Sequence, residues 1–428
     1  MSNYQEIAEL TLQALKSGEY QMADQFLQKM LYESNPEAAK EILSEQNMVL
    51  KILTEILLCE KNRGRGEDSF KAFGQSYEAF FECYQKLKRM IRRIWFGLDP
   101  DHQSEINALL DEMPISSDML AVVAKYSVPK ELWGDLFQKL SLLIIQKHQK
   151  ISTEISGYRR WFEREGLLGN GRCRAPRERQ NAFSFQRLSY RKEKIPALAG
   201  RDDKKLAIIY CTHDDGYAEE CRAYIDYLRL PEGMRGEILE IREAPGMAAG
   251  YNFGMSRTNA EYKIYIHHDT MLIDSGIPEK LITAFRGNEK IGLIGVFGSK
   301  VLPESGRWYQ APYEESILSL YQDAILNFLY PKKEEKAELR EAEGVDGAFL
   351  ATSEDICWRE DIFDGWHFYD IAACREMKKA GFSAALYADP EPWILHESTL
   401  RKDPEDLYGK YCSIFLDVYD VGVKSAMR

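Results

Sequence analysis

An α/β sheet domain preceded by an all-helical region is the fold class this chain predicts, on three observations. Residues 1 to about 155 carry apolar side chains at helical spacing throughout. From Lys205 onward, short apolar runs alternate with amphipathic helical stretches. One of those runs, Tyr262-Lys-Ile-Tyr-Ile-His267, passes straight into the polar cluster His267-His268-Asp269. In open α/β sheets the carboxyl ends of the strands are where ligands bind, so an apolar run ending in two imidazoles and a carboxylate is the first candidate site.

A length of 428 residues predicts two domains. We place the all-helical domain at 1–155, a basic linker with partial structure at 156–204, and the sheet domain at 205–428. In the first, Ile7, Leu10, Ala14 and Leu15 recur at helical spacing, Gly18 breaks the run, and Tyr20, Ala23, Phe26, Leu27 and Met30 resume it. The pair resembles one helical hairpin of the tetratricopeptide kind, without a second copy at a fixed period. Phe70 to Trp95 reads as a long aromatic-rich helix closed by Gly97 and Asp99-Pro100, and further helices fit Gln103–Glu112, Ser116–Tyr126 and Pro129–Lys150. The basic run Lys86, Lys88, Arg89, Arg92 and Arg93 reads as a solvated helix face, with a phosphate or membrane-surface site as the alternative. A docking platform for a partner or acceptor, or a domain that only packs on its neighbour, would each account for this half.

Between Arg159 and Lys205 glycines cluster at Gly166, Gly169 and Gly171 and periodicity is lost, hence the linker. Leu206–Cys211, Glu237–Ile241, Tyr262–His267 and Ile291–Val296 are then short apolar runs of strand length. Helical faces separate them: Tyr217, Cys221, Tyr224, Ile225 and Leu228 on one, then Ala248–Arg257 and Ile277–Arg286. Such alternation predicts a mostly parallel sheet covered on both faces. Residues 299 to 344, with Gly306 and a Lys/Glu-rich 332–343 run, read as an insertion that could cover an acceptor.

Composition narrows the function. Hydrophobic residues at 45% and charged residues at 29% describe an ordinary globular protein. A net charge of −12 disfavours a nucleic-acid partner held by its phosphates. No stretch approaches the roughly 20 apolar residues of a membrane span, and Met1-Ser-Asn-Tyr-Gln-Glu6 lacks a basic region and an apolar signal core. Eight cysteines without a C-x-x-C pair suit reduced thiols, so a cytoplasmic location is expected.

Three contexts hold groups that could do chemistry. Beside His267-His268-Asp269 stand Asp364-Gly-Trp-His-Phe-Tyr-Asp370, where a turn leads into an amphipathic helix, and Pro392-Trp-Ile-Leu-His396, a strand with an imidazole at its far end. Asp269 and His396, each just past an apolar run, could converge on one Mn²⁺ or Mg²⁺ that also holds phosphate oxygens. Asp370 equally suits a helix N-cap, and His396 a structural histidine. His213 with Asp214-Asp215-Gly216 reads most simply as a turn and helix start.

In order and spacing, several segments together resemble the family 2-type glycosyltransferases of the GT-A fold. The segments are Ile208-Ile-Tyr-Cys-Thr212, Ala248-Ala-Gly-Tyr-Asn-Phe-Gly254, Tyr262–Asp269, Val345-Asp-Gly-Ala-Phe-Leu350, Gly365-Trp-His-Phe-Tyr-Asp370 and Trp393-Ile-Leu-His396. The nearest likeness is to the branch named after a streptomycin-biosynthesis protein. It covers Lys205 to about Ser398 and leaves the N-terminal half unmatched.

The resemblance implies a nucleotide-sugar donor, with a UDP-sugar favoured, and an acceptor that could be a glycan, a protein or a lipid-linked saccharide. Tyr210, Cys211 and Thr212 would lie beside the base, Arg242 would close that pocket, and Asn252 would help hold the nucleotide. His267-His268-Asp269 occupies the place of the family's D-x-D motif, with Asp269 on the metal and His267 standing where the first aspartate would. Asp346 would face the donor sugar, Asp370 would be the catalytic base, and His396 the late metal ligand. Trp308 and Trp366 are candidates for stacking on a sugar, with Trp393 beside them and core packing an alternative for each.

The implied reaction is a single inverting displacement, in which Asp370 needs no unusual tuning to be ionised at neutral pH. Two rivals stand beside it. A nucleotidyltransferase would need a lysine in a Gly-rich loop after the first strand, which Thr212-His-Asp-Asp-Gly216 lacks. A non-catalytic interaction protein would carry the sheet domain as a relic.

Overall fold

The computed structural model describes residues 83–98, 177–192, 200–315, 317–320, 328–329, 336–397 and 407–419, with isolated positions between 10 and 157. The chain divides into two compact units, Met1–Ala175 with Lys402–Glu405, and Pro176–Arg401 with Asp406–Arg428.

In the first unit, residues 83–95 are helical, inside the Phe70–Trp95 helix the spacing predicts. Most of the other helices expected before residue 155, and the Ile7–Met30 hairpin as a whole, lie outside the described residues. The basic run departs from the solvated face expected of it. Lys86 is exposed, but Lys88 and Arg92 are buried, as are Tyr84, Leu87, Ile91 and Ile94 of the same helix. The exposures of Lys88 and Arg92, 1% and 0%, bury the charged heads as well as the stems, which a charge count does not reveal.

The second unit is built from fifteen strands and five α-helices, with one 3-10 helix at Trp308–Gln310, among the described residues. In chain order they are β1 (Phe183–Ser189), β2 (Asp202–Cys211), α1 (Asp215–Ile225), β3 (Arg235–Arg242), α2 (Met247–Met255), β4 (Ala260–His267), β5 (Thr270–Leu272) and α3 (Ile277–Gly287). Then come β6 (Ile291–Gly295), β7 (Phe297–Ser299), β8 (Tyr313–Glu315), β9 (Ile317–Leu320), β10 (Phe328–Leu329), β11 (Glu338–Ala342), β12 (Gly344–Val345) and β13 (Phe349–Thr352). Last are α4 (Tyr369–Lys379), β14 (Ser383–Ala388), β15 (Ile394–His396) and α5 (Leu407–Val418).

Eight strands form the main sheet in the order β1-β3-β2-β4-β13-β6-β14-β11. Its pairs are parallel except where β13 lies between β4 and β6 and where β11 closes one edge. Along β2, Leu206, Ile208 and Tyr210 face one apolar layer, while Ala207, Ile209 and Cys211 face the other. A near-continuous apolar strand is what a sheet covered on both faces requires. On the second face α2 is buried along its whole length. A Cβ on Gly250 would stand 2.2 Å from Cys211 Sγ, and one on Gly254 would stand 2.5 Å from Ile209, so these glycines let the helix backbone lie against β2.

Two pieces of the sheet were not legible as such. β1 falls within the expected linker; it pairs with β3 from Phe183↔Gly236 to Ser189↔Arg242. β11 falls within the expected acceptor-covering insertion; it pairs with β14 instead. β9 and β10 from the same insertion join β15 and β5 in a separate four-stranded sheet.

A buried ion network secures the β1 edge. The wholly buried Glu240 carboxylate accepts from Tyr210 Oη at 2.9 Å, Arg187 Nε at 2.6 Å, Arg242 Nε at 2.8 Å and the Arg222 guanidinium. Burial alone would raise its pKa, but the hydrogen bonds from Arg242 and Tyr210 and the charges of Arg242 and Arg222 hold it below the usual carboxylate value. Among the described residues no helix is long and apolar enough to cross a membrane.

Trp393 leads into the strand that bears His396. It is fully buried, donates from Nε1 to Asp389 Oδ2 at 2.8 Å, and meets Phe349 and Tyr387 with ring centroids 6.0 and 4.5 Å apart. We expect Trp393→Ala to cost about 3–5 kcal/mol in chemical denaturation, the range for truncating a buried large aromatic. A loss below about 1 kcal/mol would show that this strand is not held by the core.

Candidate active site

β5 and β15 bring together residues 127 positions apart in the chain. They pair antiparallel as Thr270↔His396, Met271↔Leu395 and Leu272↔Ile394, and Glu397 N donates to Asp269 O at 3.0 Å. That register sets the side chains of Asp269 and His396 side by side. His396 Nε2 lies 3.4 Å from Asp269 Oδ1, and His267 Nδ1 lies 4.0 Å from the same oxygen. The three ligand atoms all lie within 4.8 Å of one another. Asp269 Oδ1 is buried with no hydrogen-bond partner among the described residues, its separation from His396 being an ion-pair contact rather than a formed hydrogen bond. A buried carboxylate oxygen left open between two imidazoles is a donor set that fits a divalent cation.

The electrostatics agree. Burial would raise the Asp269 pKa, but the His396, His267 and His268 imidazoles hold it well below the usual carboxylate range. His396 is pulled the other way. Burial would lower it, but the Asp269 carboxylate raises it above the ordinary imidazole value. For His267 burial prevails and lowers the pKa, which keeps that ring neutral.

Asp370 opens α4 from a strained cap. Phe368, at φ 62°, holds a left-handed conformation uncommon outside glycine, fixed by packing on Tyr408 and Phe415. Phe368, not Asp370, is the N-cap, so the capping role open to Asp370 is not the one it fills. Its Oδ2 accepts from Gly347 N at 2.8 Å and its Oδ1 from Ile371 N at 2.8 Å. Burial, then the neighbouring Asp346 charge, push its pKa up to about 7. The expectation of an untuned carboxylate is corrected: Asp370 is poised at the midpoint of its titration near neutrality. Asp346 Oδ1 accepts from Ala348 N at 2.9 Å, which shapes the turn that presents Gly347.

Asp346 and Tyr369 link the two groups. The Asp346 charge acts on Asp370 and also on His267 and His396. Tyr369, the residue before Asp370, holds its hydroxyl 2.5 Å from His267 Nε2. Tyr369 and Gly347 are the two members of the site to which no role was assigned from sequence. The signal for both lay in their positions beside Asp370 and Asp346. A Cβ on Gly347 would stand 1.9 Å from the Tyr369 hydroxyl, so only glycine fits there.

The remaining expected residues divide. Thr212 Oγ1 lies 2.8 Å from His268 Nδ1, and His268 stacks on Tyr217 with ring centroids 5.0 Å apart, so both stand at the sheet edge beside the cluster. His213, 5.2 Å from His268 between ring centroids, is exposed there too. Trp366 is 45% exposed. Arg242 is engaged by Glu240 and by Asp215 at 2.7 Å.

Four residues are placed in the packing instead. Tyr210 is wholly buried and bonded to Glu240, and Cys211 is buried against α2. Trp308 is buried against Phe297 at 4.6 Å. Asn252 donates to Trp358 O at 2.8 Å and accepts from Trp358 N at 2.9 Å, so its amide fastens the 353–359 loop rather than reaching out to a nucleotide.

Residues 207–419 match the model of the glycosyltransferase like family, of family 2-like type. This segment is a glycosyltransferase-like domain. It begins inside β2 and ends just beyond α5, so it contains Asp269, Asp346, Asp370 and His396, while β1 lies upstream of it. The mainly parallel sheet suits the GT-A fold of such domains. No curated protein matches the chain.

The pH dependence of stability carries the Asp269–His396 pair together with Asp370, whose raised pKa also removes stability as pH rises, so a comparison with a His396 variant is needed to isolate the pair. His396, raised, contributes stability that is complete below its ordinary value of 6.5 and lost as pH rises through its folded value. Asp269, lowered, contributes stability above its ordinary value of 3.8 that is lost only as pH falls through its folded value. We expect the Tm of chelator-treated protein to fall as pH rises above the ordinary imidazole value of 6.5, and His396→Gln to make that fall shallower. An identical slope in the variant would contradict the pairing.

Proposed function

We propose that this glycosyltransferase-like domain moves a sugar from a nucleotide-sugar donor, UDP-linked, to an acceptor hydroxyl in a single inverting displacement. The observation that carries the reading is the meeting of Asp269 and His396 at 3.4 Å, with Asp370 reached through Asp346 and Tyr369. Asp269 and His396 would hold Mn²⁺ or Mg²⁺, which when bound supplies Lewis-acid neutralisation of charge on the departing diphosphate. Thr212 and His268 would border the nucleotide, with Arg242 at its rim. Asp346 would face the donor sugar, and Trp366 remains a candidate for stacking on a sugar. The likeness to the streptomycin-biosynthesis-protein branch belongs to this reading.

Asp370 takes the proton from the acceptor hydroxyl as its oxygen attacks the anomeric carbon. Two backbone N–H groups, from Gly347 and Ile371, fix the carboxylate in place. Its raised pKa makes it a stronger base once ionised, and general-base catalysis of this kind contributes on the order of 10²–10⁴ in rate. A relic domain serving only as an interaction module is not favoured: it has no use for a carboxyl group pushed up to about 7 in the same domain as an open carboxylate oxygen.

Asp370→Asn is expected to keep donor binding, measured by calorimetry with UDP-sugars and Mn²⁺, and to lose transfer by about 10²-fold or more. Substantial transfer by this variant removes Asp370 from the base role. Because the base form of Asp370 grows as pH rises through about 7, kcat/KM should climb across that value. Asp346→Asn, which removes the neighbouring charge, should move that limb to lower pH. A limb that stays in place assigns it to another group.

A further inference from the structure

Two exposed aromatic side chains border Tyr408, the second residue of α5. Tyr309, in the short turn Trp308–Gln310, is 44% exposed, and its ring centroid lies 6.1 Å from that of Tyr408. Trp366 precedes His367, whose ring lies 5.5 Å from the Tyr408 ring. Tyr408 in turn stands next to Asp370. Phe368 packs on it at 4.9 Å, and burial, then the Asp370 charge, raise the pKa of its hydroxyl, which keeps that group a hydrogen-bond donor. Both exposed rings are mounted on clamped loops. Met247 N donates to Gly365 O at 2.9 Å, Tyr411 Oη donates to Asp364 Oδ1 at 2.5 Å, and a Cβ on Gly365 would stand 2.6 Å from Tyr411 Oη. Cys412 Sγ donates to Ser305 O at 3.2 Å, and a Cβ on Gly306 would stand 3.2 Å from Leu416, so the turn that carries Tyr309 is seated on α5. Exposed apolar side chains scattered singly are ordinary. Two exposed rings held by one helix, on either flank of a hydroxyl beside a general base, form a built surface.

We propose that Trp366, Tyr309 and Tyr408 form the acceptor subsite and that its occupant is a neutral saccharide. The two exposed rings stack on the apolar C–H faces of pyranose units, and Tyr408 Oη hydrogen-bonds the sugar beside the hydroxyl that Asp370 deprotonates. A pyranose is apolar on its faces and polar around its rim. Tyr and Trp match that with a rigid ring and a polar tip, at little cost in conformational freedom. The charged groups at the rim suit the same occupant. Asp364 and Asp370 accept from sugar hydroxyls and repel an anionic acceptor. The nearby cations are engaged with rings: Arg307 lies over Tyr408 at 5.7 Å and Lys410 over Tyr411 at 5.2 Å. The inference deepens the transferase reading, on which it rests for Asp370 as the acceptor's base. Among glycan, protein and lipid-linked acceptors it selects the glycan.

The test uses full-length protein and saturation-transfer NMR, with no donor present. The probes are neutral linear trisaccharides of hexoses and of N-acetylhexosamines, serine-containing tripeptides, and a short-chain isoprenyl phosphate. At least one trisaccharide should bind, with saturation delivered to its pyranose C–H protons. Trp366→Ala and Tyr309→Ala, both at exposed positions, should each weaken it by about three- to tenfold, the worth of one well-placed aromatic contact. Tyr408→Phe keeps the ring and should weaken it by about fivefold, the worth of one hydrogen bond. Binding of no trisaccharide, an unchanged affinity in either alanine variant, or tighter binding of the tripeptides or the isoprenyl phosphate overturns the proposal. Turnover enters none of these readouts. A trisaccharide held by these rings that receives no sugar from UDP-, GDP-, CDP- or dTDP-sugars would leave the subsite standing and sink the transferase reading. Transfer to a peptide that Trp366→Ala leaves untouched would do the reverse.

Discussion

The short ladder between β5 and β15 is the constraint on which the site depends. Three backbone pairs and the bond from Glu397 N to Asp269 O set His396 beside Asp269, and no contact local in sequence could do so. The ladder is itself positioned by the core, because Trp393 is fully buried immediately before β15 and β4 delivers His267 and Asp269 from the centre of the main sheet. Side-chain precision at the cluster therefore derives from apolar packing some residues away, as rigid elements place functional groups better than loops do.

Charge is arranged so that each group's neighbours oppose or reinforce its burial. Three imidazoles, of His396, His267 and His268, overcome the burial of Asp269 and keep it anionic, whereas Asp346 adds to the burial of Asp370 and favours its proton. Environments that drive two carboxyl groups apart in pKa divide the labour of a site between ion binding and proton transfer. Asp269 and Asp370 stand in that relation, with Asp346 acting on Asp370 and on the histidines beside Asp269.

Much of this was legible in the sequence because it is written in local patterns. The apolar runs gave β2, β3, β4 and β6 to within a few residues, and the glycines of Ala248–Gly254 mark where α2 lies against β2. Asp269, His396 and Asp370 could be singled out since each follows an apolar or turn context that ends at a sheet edge. What stayed hidden depends on distant partners. β1 alternates weakly and is mostly exposed, so nothing in its own residues announced that it pairs with β3. Lys88 and Arg92 are buried by neighbours that a charge count does not weigh. Asn252 and Tyr210 carry groups that could bind a nucleotide, and only tertiary contacts commit them to Trp358 and Glu240. Tyr369 has no role legible in the sequence, and only the approach of its hydroxyl to His267 gives it one.

The central claim is that one cation is shared by residues from opposite ends of the domain. Anomalous diffraction from crystals grown with Mn²⁺ and a nucleoside diphosphate tests it most directly. The account predicts a single anomalous peak within about 2.0–2.3 Å of both Asp269 Oδ1 and His396 Nε2, the range of transition-metal bonds to nitrogen and oxygen. A peak bonded to only one of the two, or located elsewhere in the domain, would contradict it.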